Sequence, residues 1–240
     1  MAGAPEPPWW RTRGEGDRAE RRPLTRDAIV EAALALLDRE GLSGLSMRRL
    51  ARELDAGAAT LYWHVGSKEQ LLSLLLDRIV GETRMPGPDP ADWREQVKEM
   101  GREGRRLLLS HRDAAQISLG RIPAGPHSLP VLERQLAVLL AAELPARIIS
   151  HAVDLFALYI GAFAFEESMQ APPLGDESAS TDQLADYFRS LPPDEFPTLV
   201  SLADDLTAGD ADERFEFALE LLVRGLEAMA SAERGGHQDR

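Results

Sequence analysis

Apolar residues recur at three- and four-residue spacing from Leu24 to Leu226, and no stretch alternates apolar with polar residues as a half-buried strand must. That pattern restricts the chain to an all-α fold. Its start and stop signals are legible. Thr25 is placed to cap a first helix, Asp27 suits its positive pole, and Leu24 with Ile29 has the spacing of a hydrophobic staple. Ile29, Ala33, Leu36 and Leu37 continue the period until Glu40-Gly41. Ser46 caps a short second helix over 47–54, with Leu50 and Leu54 inward and Arg48, Arg49 and Arg52 outside. After the breaker Asp55-Ala56-Gly57, a third helix spans about 58–65. Ser67 to Gln70 then has the capping-box form at the start of a connecting helix, 67–81, whose apolar pattern runs from Leu71 to Val80.

Met85 to Pro90 places three prolines in six residues, which no helix can continue. The charge balance breaks at the same place. Residues 1–84 hold 13 basic and 13 acidic side chains, whereas 85–240 hold 14 and 27, so the net charge of −13 belongs to the second part. Three segments follow: an arm, 1–23; a first domain with a connecting helix, 24–84; and a larger domain, 85–240. Helices are expected near 92–110 (an Asp92–Glu95 capping box), 129–144, 145–170, 181–191 and 212–232, with a loop at 171–180. The total is nine or ten. Asp204, Asp205 and Asp210 fall in a loop-like stretch without a partnered base or nucleophile, which argues for solvated charge and against an enzyme.

With no cysteine, disulfides, thiolate nucleophiles and Cys-ligated zinc are excluded, and five histidines with no i, i+4 pair make a metal site improbable. No metal or cofactor is expected. The longest continuous apolar run, Leu155 to Phe165, is shorter than the roughly 18 residues of a membrane span, and the start lacks a signal-peptide pattern, so a cytoplasmic protein without membrane contact is expected.

Two short helices around a glycine-containing turn have the form of a helix-turn-helix, although such pairs are also common as plain packing. The run Thr60-Leu-Tyr-Trp-His-Val65, then Ser67-Lys68 through Leu71, with Gly44 to Ala51 upstream, resembles the DNA-binding domain of the tetracycline-repressor (TetR) family. The resemblance implies an N-terminal three-helix helix-turn-helix domain, a C-terminal helical bundle for ligand binding and dimerisation, and a homodimeric repressor of a double-stranded DNA operator, released by a small-molecule effector. Activation, a helical enzyme and a non-DNA interaction module are the alternatives. Positions matching the family's DNA contacts are Arg48, Thr60, Tyr62, His64 and Lys68. Met47 and Ala58 occupy base-reading positions, but Ala58 has no amide for bidentate adenine readout. Leu61, Trp63 and Val65 are expected in the core. The arm's Arg11, Arg13, Arg21 and Arg22 suit an adjacent minor groove, against the alternative of a solubilising tail.

Leu108 to Asp113, Leu119-Gly120 with Pro123, Leu132 to Leu136 and Phe217 to Glu227 extend the resemblance into the second domain. It implies a ligand pocket near Ser118, Arg121, Gln135, His151, Tyr159, Phe163 and Glu166, with Trp93 and Glu167 as further candidates. Ser118 stands where the family's tetracycline-binding branch has a metal-ligating histidine, and Arg121 replaces a threonine. A larger apolar effector with some polar groups is therefore expected in place of tetracycline and magnesium. The helices 145–170 and 212–232 resemble the pair that makes a four-helix bundle with a dimer mate, with Phe156, Phe215, Leu222 and Leu226 as interface residues.

Overall fold

The computed structural model describes residues 24–85, 87–170 and 177–238. Among them there are twelve helices and no strand: α1 Arg26–Gly44, α2 Met47–Glu53, α3 Ala58–Val65, α4 Lys68–Val80, α5 Trp93–Ser110, α6 Ala114–Ser118, α7 Leu129–Ala141, α8 Ala146–Gln170, α9 Glu177–Arg189, α10 Pro197–Ser201, α11 Ala203–Thr207 and α12 Ala211–Gln238. The extra elements are the one-turn helices α6, α10 and α11, too short to show a period; α11 holds Asp204 and Asp205, read from sequence as loop. α9 begins four residues before the expected start.

The caps read from sequence position the head. The side chains of Thr25, Ser46 and Ser67 accept hydrogen bonds from the backbone N–H groups of Ala28, Arg49 and Gln70. Asp92 precedes α5 but its side chain makes no capping bond. α1 is broken at Gly41, whose φ of 75° is left-handed, before the last turn resumes. In the turn between α2 and α3 the left-handed residue is Asp55 (φ 46°), while Gly57 is an ordinary extended N-cap. Asp tolerates that conformation better than most side chains. The glycine therefore marks the helix start, not the turn's strained point.

The proline-rich break does not end the core. One cluster joins Leu36, Leu50, Leu61, Leu71 and Leu75 of the first four helices to Leu107, Ala115 and Ile117 of α5 and α6. The break itself is held by buried Gln96, which donates to Gly87 O at 2.7 Å and accepts from Asp89 N at 2.9 Å. A second cluster lies among α5, α7, α8 and α12, and includes Trp93. A third is aromatic: Phe215 stacks on Tyr159 at 5.5 Å and tilts against Phe163 at 5.0 Å. The Arg105 guanidinium covers Phe215 at 4.9 Å and is held by Glu167 and Asp212.

α8 corrects the expectation about membrane spans. Ala146–Met169 is long and apolar enough, by length and composition, to cross a bilayer. Its apolar character is not one uninterrupted run, because His151 and Asp154 interrupt it without lowering the mean hydropathy much. Here the helix packs against α5, α6, α7 and α12.

Candidate functional site

The helix-turn-helix face is built from α2, α3 and the start of α4. Leu61 and Val65 are buried, which fixes the rotation of α3 and turns Ala58, Thr60 and Tyr62 outward. Arg48 is exposed, and among the described residues it has no ion-pair partner. Arg49 is half-buried and committed to Glu40 at 2.6 Å. Lys68 opens α4 beside its unpaired N–H groups, a suitable place for one phosphate oxygen. His64 is half-buried; burial, then the nearby Arg26, hold its pKa below the ordinary 6.5, which favours the neutral ring at pH 7.

Two positions depart from expectation. Met47 is buried in the core, held there by the same turn of α2 that exposes Arg48, so it presents no side chain to a base. Trp63, expected in the core, is 43% exposed and stands edge-on to His64 at 4.6 Å. An eight-residue helix with Leu61 and Val65 inward leaves residue 63 on the opposite side. Arg11, Arg13, Arg21 and Arg22 lie outside the described residues.

The larger domain encloses a cavity of about 480 Å³ between α5, α7, α8 and the connection after α6, with Val80 at the end of α4 in its wall. Ser118, Arg121 and Gln135 line it. The Ser118 hydroxyl donates to Ala115 O at 2.7 Å. The Gln135 amide makes no hydrogen bond to other described residues. His151, Tyr159, Phe163 and Glu166 lie elsewhere: His151 is exposed, Tyr159 and Phe163 belong to the aromatic cluster, and Glu166 pairs with Arg214 at 2.8 Å. Trp93 is core, and Glu167 is tied to Arg105. The reason is helical phase. The cavity face of α8 carries Ser150, Val153, Ala157 and Gly161, whereas 159 and 163 point to α12. The small side chains at 150, 157 and 161 are the signal for that face, since they leave the room a ligand needs. Phe156, expected at a dimer interface, also borders the cavity.

The other expected interface residues also turn inward. Phe215 is fully buried within one subunit, Leu226 is buried and Leu222 half-buried. The exposed apolar stripe of α12 is Phe217, Leu221 and Met229, with Gly225 open between them, and α8 adds Leu155 and Leu158. It is offset by one to three residues from the expected Phe215, Leu222 and Leu226, enough to put it on another face of the helix.

Two family models match the chain: "Bacterial regulatory proteins, tetR family" over residues 29–75, and "Tetracyclin repressor-like, C-terminal domain" over residues 85–230. The chain belongs to the tetracycline-repressor family. Its TetR-family relatives include an HTH-type transcriptional regulator of Saccharopolyspora erythraea, 36% identical over 96% of this chain and 95% of that one. The HTH-type transcriptional repressor DrrR1 of Streptomyces coeruleorubidus is 31% identical, covering 94% and 86%. Among solved structures, the TetR family protein ActR of Streptomyces coelicolor in complex with actinorhodin is 45% identical, covers 87% of this chain and 99% of its own, and superposes with a TM-score of 0.81. As a TetR-family member the chain is a DNA-binding transcriptional regulator, not an enzyme.

Proposed function

We propose that this TetR-family protein is a ligand-responsive repressor that acts in the cytoplasm as a homodimer on a palindromic operator and leaves it when a small amphipathic molecule fills the cavity. The observation that carries the reading is the placement of α4: Lys68 begins it on the DNA face, and Val80 ends it in the cavity wall. Thirteen residues at 1.5 Å each make a rigid link of roughly 20 Å. A two-fold dimer must hold its α3 helices about 34 Å apart, one turn of duplex, so a displacement of α4 in each subunit breaks the match.

Thr60 and Tyr62 supply hydroxyls for phosphate or base edges, Arg48 and Lys68 supply charge, and His64 a neutral donor. The stripe of Leu155, Leu158, Phe217, Leu221 and Met229 forms the interface, an α8–α12 pair meeting its copy. The effector is antibiotic-like: relatives include a structure holding actinorhodin and a repressor named for tetracycline. It is not a tetracycline–metal complex, because Ser118 and Arg121 offer no metal ligand at that position.

Selection of duplexes from random-sequence DNA by the full-length protein should enrich one palindrome. Tyr62→Ala and Lys68→Ala should each weaken its binding at least tenfold, and removing residues 1–22 should flatten the salt dependence if the arm's arginines meet phosphates or the minor groove. Enrichment of no palindrome, or indifference to both substitutions, would refute the reading.

A further inference from the structure

The cavity has two charged lining residues, Arg121 and Asp154, and every other wall residue is neutral. Arg121 sits where the cavity meets a surface depression against α4, after a turn whose Gly120 has a φ of 72°. Its guanidinium donates from Nη1 to Ile117 O at 3.0 Å and from Nη2 to the Glu69 carboxylate. Glu69 follows Lys68 in the first turn of α4. The pair is unequal: the Arg121 side chain is 21% exposed and that of Glu69 76%.

Such a geometry makes Glu69 easy to displace. An ion pair with one end in water contributes ~1 kcal/mol or less, because solvent serves the freed carboxylate almost as well. An anion arriving from the cavity side, where the surroundings are largely apolar, would meet the same fork at a lower local dielectric and bind it more strongly. Asp154, exposed on α8, disfavours an anion at its own end, so a negative group has one favourable place. A neutral ligand offers the guanidinium only uncharged acceptors, whose hydrogen bonds are about half as strong.

Resting on the repressor reading above, we propose that the effector of this protein is a carboxylate-bearing amphipath, and that Arg121 reads the carboxylate by exchanging Glu69 for it. The exchange gives selectivity and response together. The ligand's apolar body fills the space beside Ala157 and Gly161, its carboxylate takes the guanidinium, and the first turn of α4 loses its tie to the 118–123 connection beside the phosphate-binding Lys68.

Two probes of one shape separate charge from fit: 9-anthracenecarboxylate and the neutral 9-anthracenecarboxamide, titrated by fluorescence into the full-length dimer at pH 7.5. The wild-type protein should bind the carboxylate at least tenfold more tightly, as a charge-assisted hydrogen bond implies. Arg121→Gln should bring the ratio of the two affinities to about one, Arg121→Lys should keep part of it, and Glu69→Gln, which removes the competitor, should raise it. A wild-type ratio near one, or a preference that survives Arg121→Gln, overturns the assignment of Arg121 while leaving the cavity as a ligand site. If neither probe binds, or Ala157→Trp binds both as well as wild type does, the cavity reading falls and this inference with it.

Discussion

Replacing Phe217 by arginine should separate the two subunits while leaving each folded. Its side chain is 71% exposed on a single subunit, one turn before the exposed Leu221 on the same face of α12. Full burial of a phenylalanine contributes about 1.5–3 kcal/mol, so covering the exposed part of this one contributes roughly 1–2 kcal/mol. A two-fold interface counts it twice, giving about 2–4 kcal/mol, or a thirtyfold to several-hundredfold weaker dimer, before the cost of burying arginine is added. Sedimentation velocity over a concentration series reads the dissociation constant, and circular dichroism checks the fold. Phe215 supplies the contrast two residues away: fully buried between Tyr159, Phe163 and Arg105, it should cost about 3–5 kcal/mol of folding stability as alanine. An unchanged dimer constant for Phe217→Arg, or a loss of helicity equal to that of Phe215→Ala, would refute the assignment of this stripe.

Other substitutions test the links between the parts. Asp77, 1% exposed on α4, accepts from Ser128 N at 2.9 Å, Ser128 Oγ at 2.7 Å and His127 N at 3.3 Å, so Asp77→Ala leaves buried donors unpaired and should cost roughly 3–5 kcal/mol in urea unfolding; a loss below about 1 kcal/mol would show that water replaces it. Glu216 is held below the ordinary carboxylate value of 4.5 chiefly by its two hydrogen bonds from Arg102, both 2.7 Å. That contribution is present above pH 4.5 and fades as pH falls through the lower folded value, so Arg102→Gln should flatten the decline of the urea midpoint below pH 4.5, and parallel declines would argue against it. Because the His64 pKa is held below 6.5, the ring is mostly neutral from pH 7 upward; His64→Gln should therefore weaken operator binding by nearly the same factor at pH 7 and pH 8, whereas a growing effect toward pH 7 would mean a protonated ring on DNA.

Much of the head was readable because its signals are local. A cap, a breaker and two inward leucines set the starts of α1 to α4 to within a residue or two, and Thr60, Tyr62 and Arg48 fall outside because Leu61 and Leu50 must fall inside. Trp63 shows the limit, since an apolar residue on a short helix carries no label saying which side is covered. The ligand region was read less well. In α8 nearly every residue from 152 to 165 is apolar, so period cannot separate the cavity face from the face toward α12 or from the exposed stripe. For that reason the period does not show that Tyr159 and Phe163 lie toward α12 and off the cavity wall, or that Phe215 and Leu226 are buried within the subunit while Phe217 and Leu221 are exposed.

By itself the sequence determined the all-α architecture, the order of the long helices and most of their starts, the family and the outward placement of Arg48, Thr60 and Tyr62, because caps, breakers and helical period act within a few residues of each other. Tertiary structure alone decided the cavity wall, the exposed stripe and the contact between Arg121 and Glu69, fifty-two positions apart. Those depend on the rotation of each helix against several neighbours at once, which only the packed core selects.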